Sequence, residues 1–305
     1  MKHFQLFCLV LFTGFLSLSV FAQQANSFLP QQHADKSSAG ICKSKNTTAF
    51  FDLLYNWPVQ KTSEAGIETD GTFLYTAVWA SDSAIQRKIY KYNLTGAVLD
   101  SFVIDSVVGL RDLAYNANYF YGGNSSNSIY KMDFTLHTVV DTIVCPAYVQ
   151  VRSIAYDPVH DGFWVSGWNT DIWLINRATG SVVDTIPFAS HQLIGMFGSA
   201  YDSISAGGPY LWVFDQNTSA NQNDLVQITI ANGLPSGVVH DVTTDFTVSP
   251  GSVAGGLFTY YNPGTFVTTL GGLVQGSTIF GYDLSTMVVT SDVGVVEILT
   301  PQSAC

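Results

Sequence analysis

The feature that most constrains this chain is a recurring order of short strand-like segments. β-Branched or aliphatic residues interleave with aromatic or polar ones in Ile89-Tyr90-Lys91-Tyr92, Ile129-Tyr130-Lys131-Met132, Ile172-Trp173-Leu174-Ile175, Leu225-Val226-Gln227-Ile228 and Ile279-Phe280-Gly281-Tyr282, whose starts lie 40, 43, 53 and 54 residues apart. Ahead of each comes a segment with a wide aromatic: Phe73-Leu74-Tyr75, Tyr119-Phe120-Tyr121, Phe163-Trp164-Val165, Leu211-Trp212-Val213 and Phe266-Val267-Thr268. An opening segment precedes those, at 66–68, 109–115, 151–156, 198–201 and 253–261. A fourth follows in most copies, at 97–100, 138–143, 181–186 and 237–240.

Short runs of this kind, bounded by Gly, Asn and Asp, describe strands and turns. Four of them per unit, at a period slightly above 40, describe a β-propeller blade. One twisted four-stranded sheet cannot bury both faces. Stacked around an axis it does, and the bulky aromatics of the middle strands fill the wedge between neighbours. A β-sandwich is the rival, since evenly spaced short strands suit it too. The expectation is an all-β propeller of five blades; six is the alternative, because the fourth and fifth units are long enough to hold another small sheet. The fifth copy lacks an evident outer strand. Residues 50–57 have the character to supply it and close the ring, removing the open edges of a linear array; Val288-Val289 could do so from the other end.

Composition supports this class. With 47% hydrophobic and 11% charged residues, the chain is too apolar for disorder and too poor in charge for a coiled coil. The net charge is −11, and Arg177 is the last Lys or Arg. Without a basic stripe nothing would displace the counterions of a phosphate backbone, which excludes nucleic acid as the expected partner.

At the start, Lys2 and His3 lead into an apolar run to Phe21, closed by the small-x-small pattern Val20-Phe21-Ala22. This reads as a signal peptide over 1–22, with a retained anchor as the alternative. The mature chain is then expected to be exported, secreted or held at the cell surface, with no transmembrane segment. Residues 23–49 read as a polar linker, 50–290 as the propeller, and 291–305 as the first strand of a following module. Cys8 falls in the signal peptide. Cys42, Cys145 and Cys305 permit one disulfide in an oxidising compartment, without a spacing that specifies it.

With its Ile-Tyr-Lys and Val-Val-Asp-Thr-Ile repeats, the chain resembles the secreted β-propeller modules of Bacteroidetes surface proteins over residues 50–290. Such modules often precede immunoglobulin-like repeats and a type IX secretion sorting domain, and Asp292 to Pro301 resembles the opening of such a repeat. The resemblance implies location and architecture, and downstream modules as partners, more than an activity. It also implies glycosylation of Asp-Ser/Thr-apolar triplets, which would fall on Ser83, Ser106, Thr142, Thr185 and Ser203; the alternative is that Asp-Thr-Ile belongs to the blade strand itself. More distantly, the blades are similar to those of glutamine cyclotransferase and regucalcin-like propellers, which are enzymes, though no catalytic motif of either falls on this chain.

In a propeller, the innermost strands line the central channel. Glu68, Arg111, Asp112 and Arg152 occupy matching places in the opening strands, and His191 lies just before the fourth unit. Converging at one rim, they would hold a carboxylate or a sugar through forked hydrogen bonds. The bland alternative is that Glu68 and Asp112 neutralise the arginines in a structural ion network. A second candidate is the loop 215–224, where Asp215, Asn217, Ser219 and Asn221 alternate as calcium ligands would. It lacks Gly at the sixth place and Glu at the twelfth, so a plain polar loop is expected, with calcium the alternative and no other cofactor. Trp164, Trp168, Trp173 and Trp212 are expected to pack between blades, with a sugar platform as the alternative.

Three functions remain open: a binding module engaging a glycan or protein at the channel rim; an enzyme of hydrolase, lyase or cyclotransferase type with Glu68 or His191 as base and Arg111 or Arg152 as anion clamp; and a purely structural spacer.

Overall fold

A computed structural model describes residues 50–79, 87–217, 222–249, 251 and 253–285. The expected signal peptide and linker, Val288-Val289 and the segment 291–305 lie outside the described residues, as do Ser83, Ser219, Asn221, Cys42 and Cys305.

The first strand is β1 (Leu53–Pro58). The first blade comprises β2 (Glu64–Thr69), β3 (Phe73–Val78), β4 (Lys88–Asn93) and β5 (Val98–Val103). The second has β6 (Asp112–Asn116), β7 (Tyr119–Gly123), β8 (Ser128–Asp133) and β9 (Thr138–Val144). In the third are β10 (Ser153–Asp157), β11 (Gly162–Ser166), β12 (Ile172–Asn176) and β13 (Val182–Ile186), followed by the single-turn α1 (Phe188–His191). The fourth holds β14 (Met196–Asp202), β15 (Tyr210–Asn217), β16 (Gln222–Thr229) and β17 (Leu234–Asp241). The fifth is β18 (Ala254–Asn262), β19 (Val267–Val274) and β20 (Thr278–Asp283), with β1 as its outermost strand. The first four sheets are antiparallel meanders, the fifth is an antiparallel three-strand meander completed by β1, and each innermost strand packs against the innermost strands of both neighbours, the last against the first. This is a five-bladed β-propeller. The extra length of the fourth and fifth units is spent on longer strands, not on a sixth sheet.

Residues 50–58 close the ring as their pattern suggested. β1 pairs antiparallel with β20, setting Tyr55 opposite Gly281 and Trp57 opposite Ile279. The Tyr55 ring occupies the space a Cβ at residue 281 would need, so the glycine is required there.

The core divides into five wedges, one per blade interface. Between the third and fourth blades Trp164, Leu174, Leu211 and Ile228 meet; between the first and second, Ala77, Ile89, Leu113 and Met132. Trp164 and Trp212 are fully buried and Trp173 is nearly so, as expected of wedge aromatics, whereas Trp168 is 53% exposed. Cys145 is a buried free thiol in the wedge between the second and third blades, and burial pushes its pKa up to about 11.

The Asp-Thr-Ile repeats have a local structural role. Asp100, Asp141 and Asp184 sit beside a register shift in the outermost pairing, and each carboxylate accepts the N–H of the next residue at 2.7–2.8 Å. The acid satisfies an amide where the ladder is locally disrupted.

Candidate functional site

The channel is closed at its middle by one carboxylate. Asp112, at the start of β6, is fully buried. Its Oδ2 accepts the N–H of Ile154 on β10 and of Ser199 on β14, each at 3.0 Å, and its Oδ1 accepts that of Leu113 at 3.0 Å. A further main-chain bond comes from Leu257 on β18, and the Asp112 backbone sits against Gly66 of β2. All five blades therefore touch this residue. A Cβ at position 256 would collide with Asp112 Oδ1, so only glycine permits β18 to approach so closely. Burial raises the carboxyl well above its usual range, against the pull of the amide donors.

This plug separates two mouths. Because Gly66 and Asp112 are level, Glu68 lies beyond the plug and Arg111 before it, about 10 Å apart along the axis at ~3.3 Å per residue. The expected single cluster of Glu68, Arg111, Asp112, Arg152 and His191 does not form. Innermost strands run in the same sense around the ring, so residues meet only when they share a level: Arg111 and Arg152 do, Asp112 lies between them and Glu68 and is felt by both Arg152 and Glu68, and His191 lies apart in α1. Of the expected ion network, an attraction between Asp112 and Arg152 is present without direct contact: among the described residues neither arginine makes a salt bridge.

At the first mouth, where the innermost strands begin, Arg111 and Arg152 precede β6 and β10. Each bonds its N–H to the neighbouring strand, Arg111 to Gly123 O and Arg152 to Ser166 O, both at 2.9 Å. The Arg111 guanidinium lies over the Trp79 ring at 4.4 Å, and that of Arg152 over Trp168 at 4.6 Å and Phe197 at 4.3 Å. Arg152 is only 3% exposed, and the Nε atoms of both arginines are buried without a partner. Burial lowers both pKa values; at Arg152 repulsion from Arg111 adds to the fall and attraction to Asp112 opposes it, leaving it at about 9. Ser125, whose N–H bonds to Val151 O at 2.9 Å, contributes another unpartnered buried hydroxyl beside this rim. Sequence reasoning found the arginines but not Trp79, Phe197 or Ser125. Aromatic residues are so common in these strands that composition gives no signal of which ones face a guanidinium.

His191, in α1, is buried beneath the loop between β11 and β12. Its Nδ1 accepts the Leu193 N–H at 3.1 Å and its Nε2 faces Thr170 O at 3.2 Å. Both ring nitrogens are thus engaged, and burial lowers the pKa, favouring the neutral ring. The expected polar loop at 215–224 is shorter than its composition suggested: Asp215 and Asn217 belong to β15, and Asp215 Oδ1 accepts the Gly195 N–H at 2.8 Å.

At the second mouth, where the innermost strands end, a funnel of about 350 Å³ opens. It is lined from all five blades, by Glu68, Tyr115, Tyr156, Tyr201 and Tyr260 among others.

Taken together these features define a five-bladed β-propeller with a sealed hub and two chemically different mouths. No protein-family model matches the chain, and no curated protein matches it. Among solved structures it is similar to the glutaminyl cyclase of Myxococcus xanthus, with a TM-score of 0.54 at 14% identity, over 76% of this chain and 96% of that one. At that identity the likeness is one of fold.

Proposed function

We propose that this chain is an exported binding module of a secreted or cell-surface protein, and that its arginine mouth engages an anionic group on a glycan or protein ligand. The observation that carries this is the pair of buried, unpartnered Nε atoms on two guanidinium groups that stack on aromatic rings and make no salt bridge among the described residues. Leaving such donors unsatisfied is costly, and a carboxylate is the group whose geometry matches the guanidinium fork. In this reading the propeller is a rigid platform, with modules downstream on the same polypeptide as its neighbours.

The test is a glycan array followed by titration calorimetry with the acidic hits. The double variant Arg111→Ala plus Arg152→Ala should abolish binding and leave the circular dichroism spectrum unchanged; undiminished binding by the double variant would end the proposal.

A propeller enzyme of hydrolase, lyase or cyclotransferase type is the alternative, favoured by the activity in the name of the Myxococcus structure. It would need a base at the arginine mouth. Glu68 opens onto the opposite mouth and both nitrogens of His191 are hydrogen-bonded, which favours the binding module. Release of ammonia from peptides with N-terminal glutamine would support the enzyme instead.

A further inference from the structure

The funnel at the second mouth plays no part in the anion-binding proposal, and its chemistry is the opposite. No Lys, Arg or His is among the described residues that line it. Five tyrosines line it, Tyr115 on β6, Tyr156 on β10, Tyr201 on β14 and Tyr260 and Tyr261 on β18. Two of them are held by their hydroxyl groups: Tyr156 donates to Asp161 Oδ1 at 3.0 Å, and Tyr201 hydrogen-bonds to Asp157. A phenol donating to a carboxylate has a more electron-rich ring face, which attracts cations.

The acceptors at this mouth are unequally free. Asp70 and Asp202 are spent on their own hairpins: Asp70 accepts from Thr72 N, Phe73 N and the Tyr75 hydroxyl, and Asp202 from Ile204 N, Ser205 N and Trp212 Nε1. They have little left for the hydroxyl groups of a sugar, yet their charge still biases the funnel. Glu68 caps no hairpin; its Oε1 accepts the adjacent Thr69 N–H at 2.7 Å, and the carboxylate also accepts the Tyr115 N–H. Ser199, which also lines the funnel, is 2% exposed and its hydroxyl has no partner.

We propose that this funnel binds a small organic ammonium ion, with Glu68 as its counter-ion, the tyrosine rings as its walls and the Ser199 hydroxyl as an acceptor for an N–H. Asp112 and Tyr115 on β6 and Asp70 beyond β2 act on Glu68, and the other titratable groups of the funnel wall are Tyr156, Tyr201, Asp202, Tyr260 and Tyr261. Burial, reinforced by Asp112 and Asp70, raises the Glu68 carboxyl well above its usual range despite the Thr69 and Tyr115 amides. A bound cation favours the ionised carboxylate over the protonated one. Affinity rises with pH, and binding releases a proton.

Calorimetric titration of the whole chain with putrescine, choline, glucose and acetate tests this, run in two buffers of different ionisation enthalpy. At least one ammonium probe should bind with proton release, while glucose and acetate give no heat attributable to this mouth. Glu68→Gln should weaken ammonium binding by about tenfold or more. Ser199→Ala should weaken putrescine more than choline, which has no N–H to offer. If Glu68→Gln does not fold, Tyr260→Ala on the funnel wall takes its place and should weaken both ammonium probes. Failure of both ammonium probes to bind the wild-type chain, glucose binding as tightly as they do, or unchanged affinity in these variants would overturn the proposal.

Discussion

Asp157 and Asp202 end their innermost strands and do the same two jobs. One carboxylate oxygen caps the hairpin amides that follow, and the other accepts the indole N–H of Trp164 or Trp212 on the next strand, at 3.0 and 3.1 Å. Asp70 does likewise with the Tyr75 hydroxyl. Asp202→Ala strands an indole N–H in the core as well as two hairpin amides, and should cost about 2–4 kcal/mol in denaturant unfolding. The Asp112 plug is harder still to replace. Asp112→Asn keeps the shape but turns an amide NH2 toward main-chain donors, so a loss of about 3 kcal/mol is expected from the same measurement. Neither role was legible in the sequence. The ring partner follows its Asp by 5, 7 or 10 residues as hairpin length varies, which hides the repeat. The plug has no counterpart in other blades, because only one side chain fits on the axis.

At the scale of the element, legibility was much better. Strand positions were readable because each blade buries its middle strands against both neighbours, so side-chain pattern and fold follow the same rule. Ring closure was readable too, from one missing strand at one end and one unassigned strand at the other. β1 is held by more than its ladder: Phe51 stacks on His240 of the fourth blade at 4.4 Å, and edges onto Trp212 and Tyr282. Removing residues 50–58 should therefore expose the edge of β20 and loosen the wedge between the fourth and fifth blades. The expected outcome is a lower melting temperature with concentration-dependent association in light scattering. A monomer that melts like the full chain would show that the closing strand adds nothing.

For the whole molecule, the sequence supplied the candidate residues but not their levels along the axis. Two or three positions along a strand decide whether a side chain faces one mouth or the other, and alternation alone does not set the stagger between blades. The result is a chain of net charge −11 that concentrates two of its few cations at one end of a sealed hub and a raised carboxyl at the other. On the binding reading proposed above, such an arrangement would separate ligands by charge at its two mouths. An anion bound there, as proposed, would stabilise the arginine pair, whose guanidinium groups are partly desolvated.

The most direct measurement follows the side-chain Nε–H resonances of Arg111 and Arg152 by nitrogen-15 NMR, assigned with Arg→Lys variants, during titration with glucuronate and then with choline. Glucuronate should shift both signals in a saturable manner, and choline should leave them in place. Arginine signals that ignore glucuronate, or that follow choline instead, would contradict the claim that the two mouths are distinct and that the first one is built for an anion.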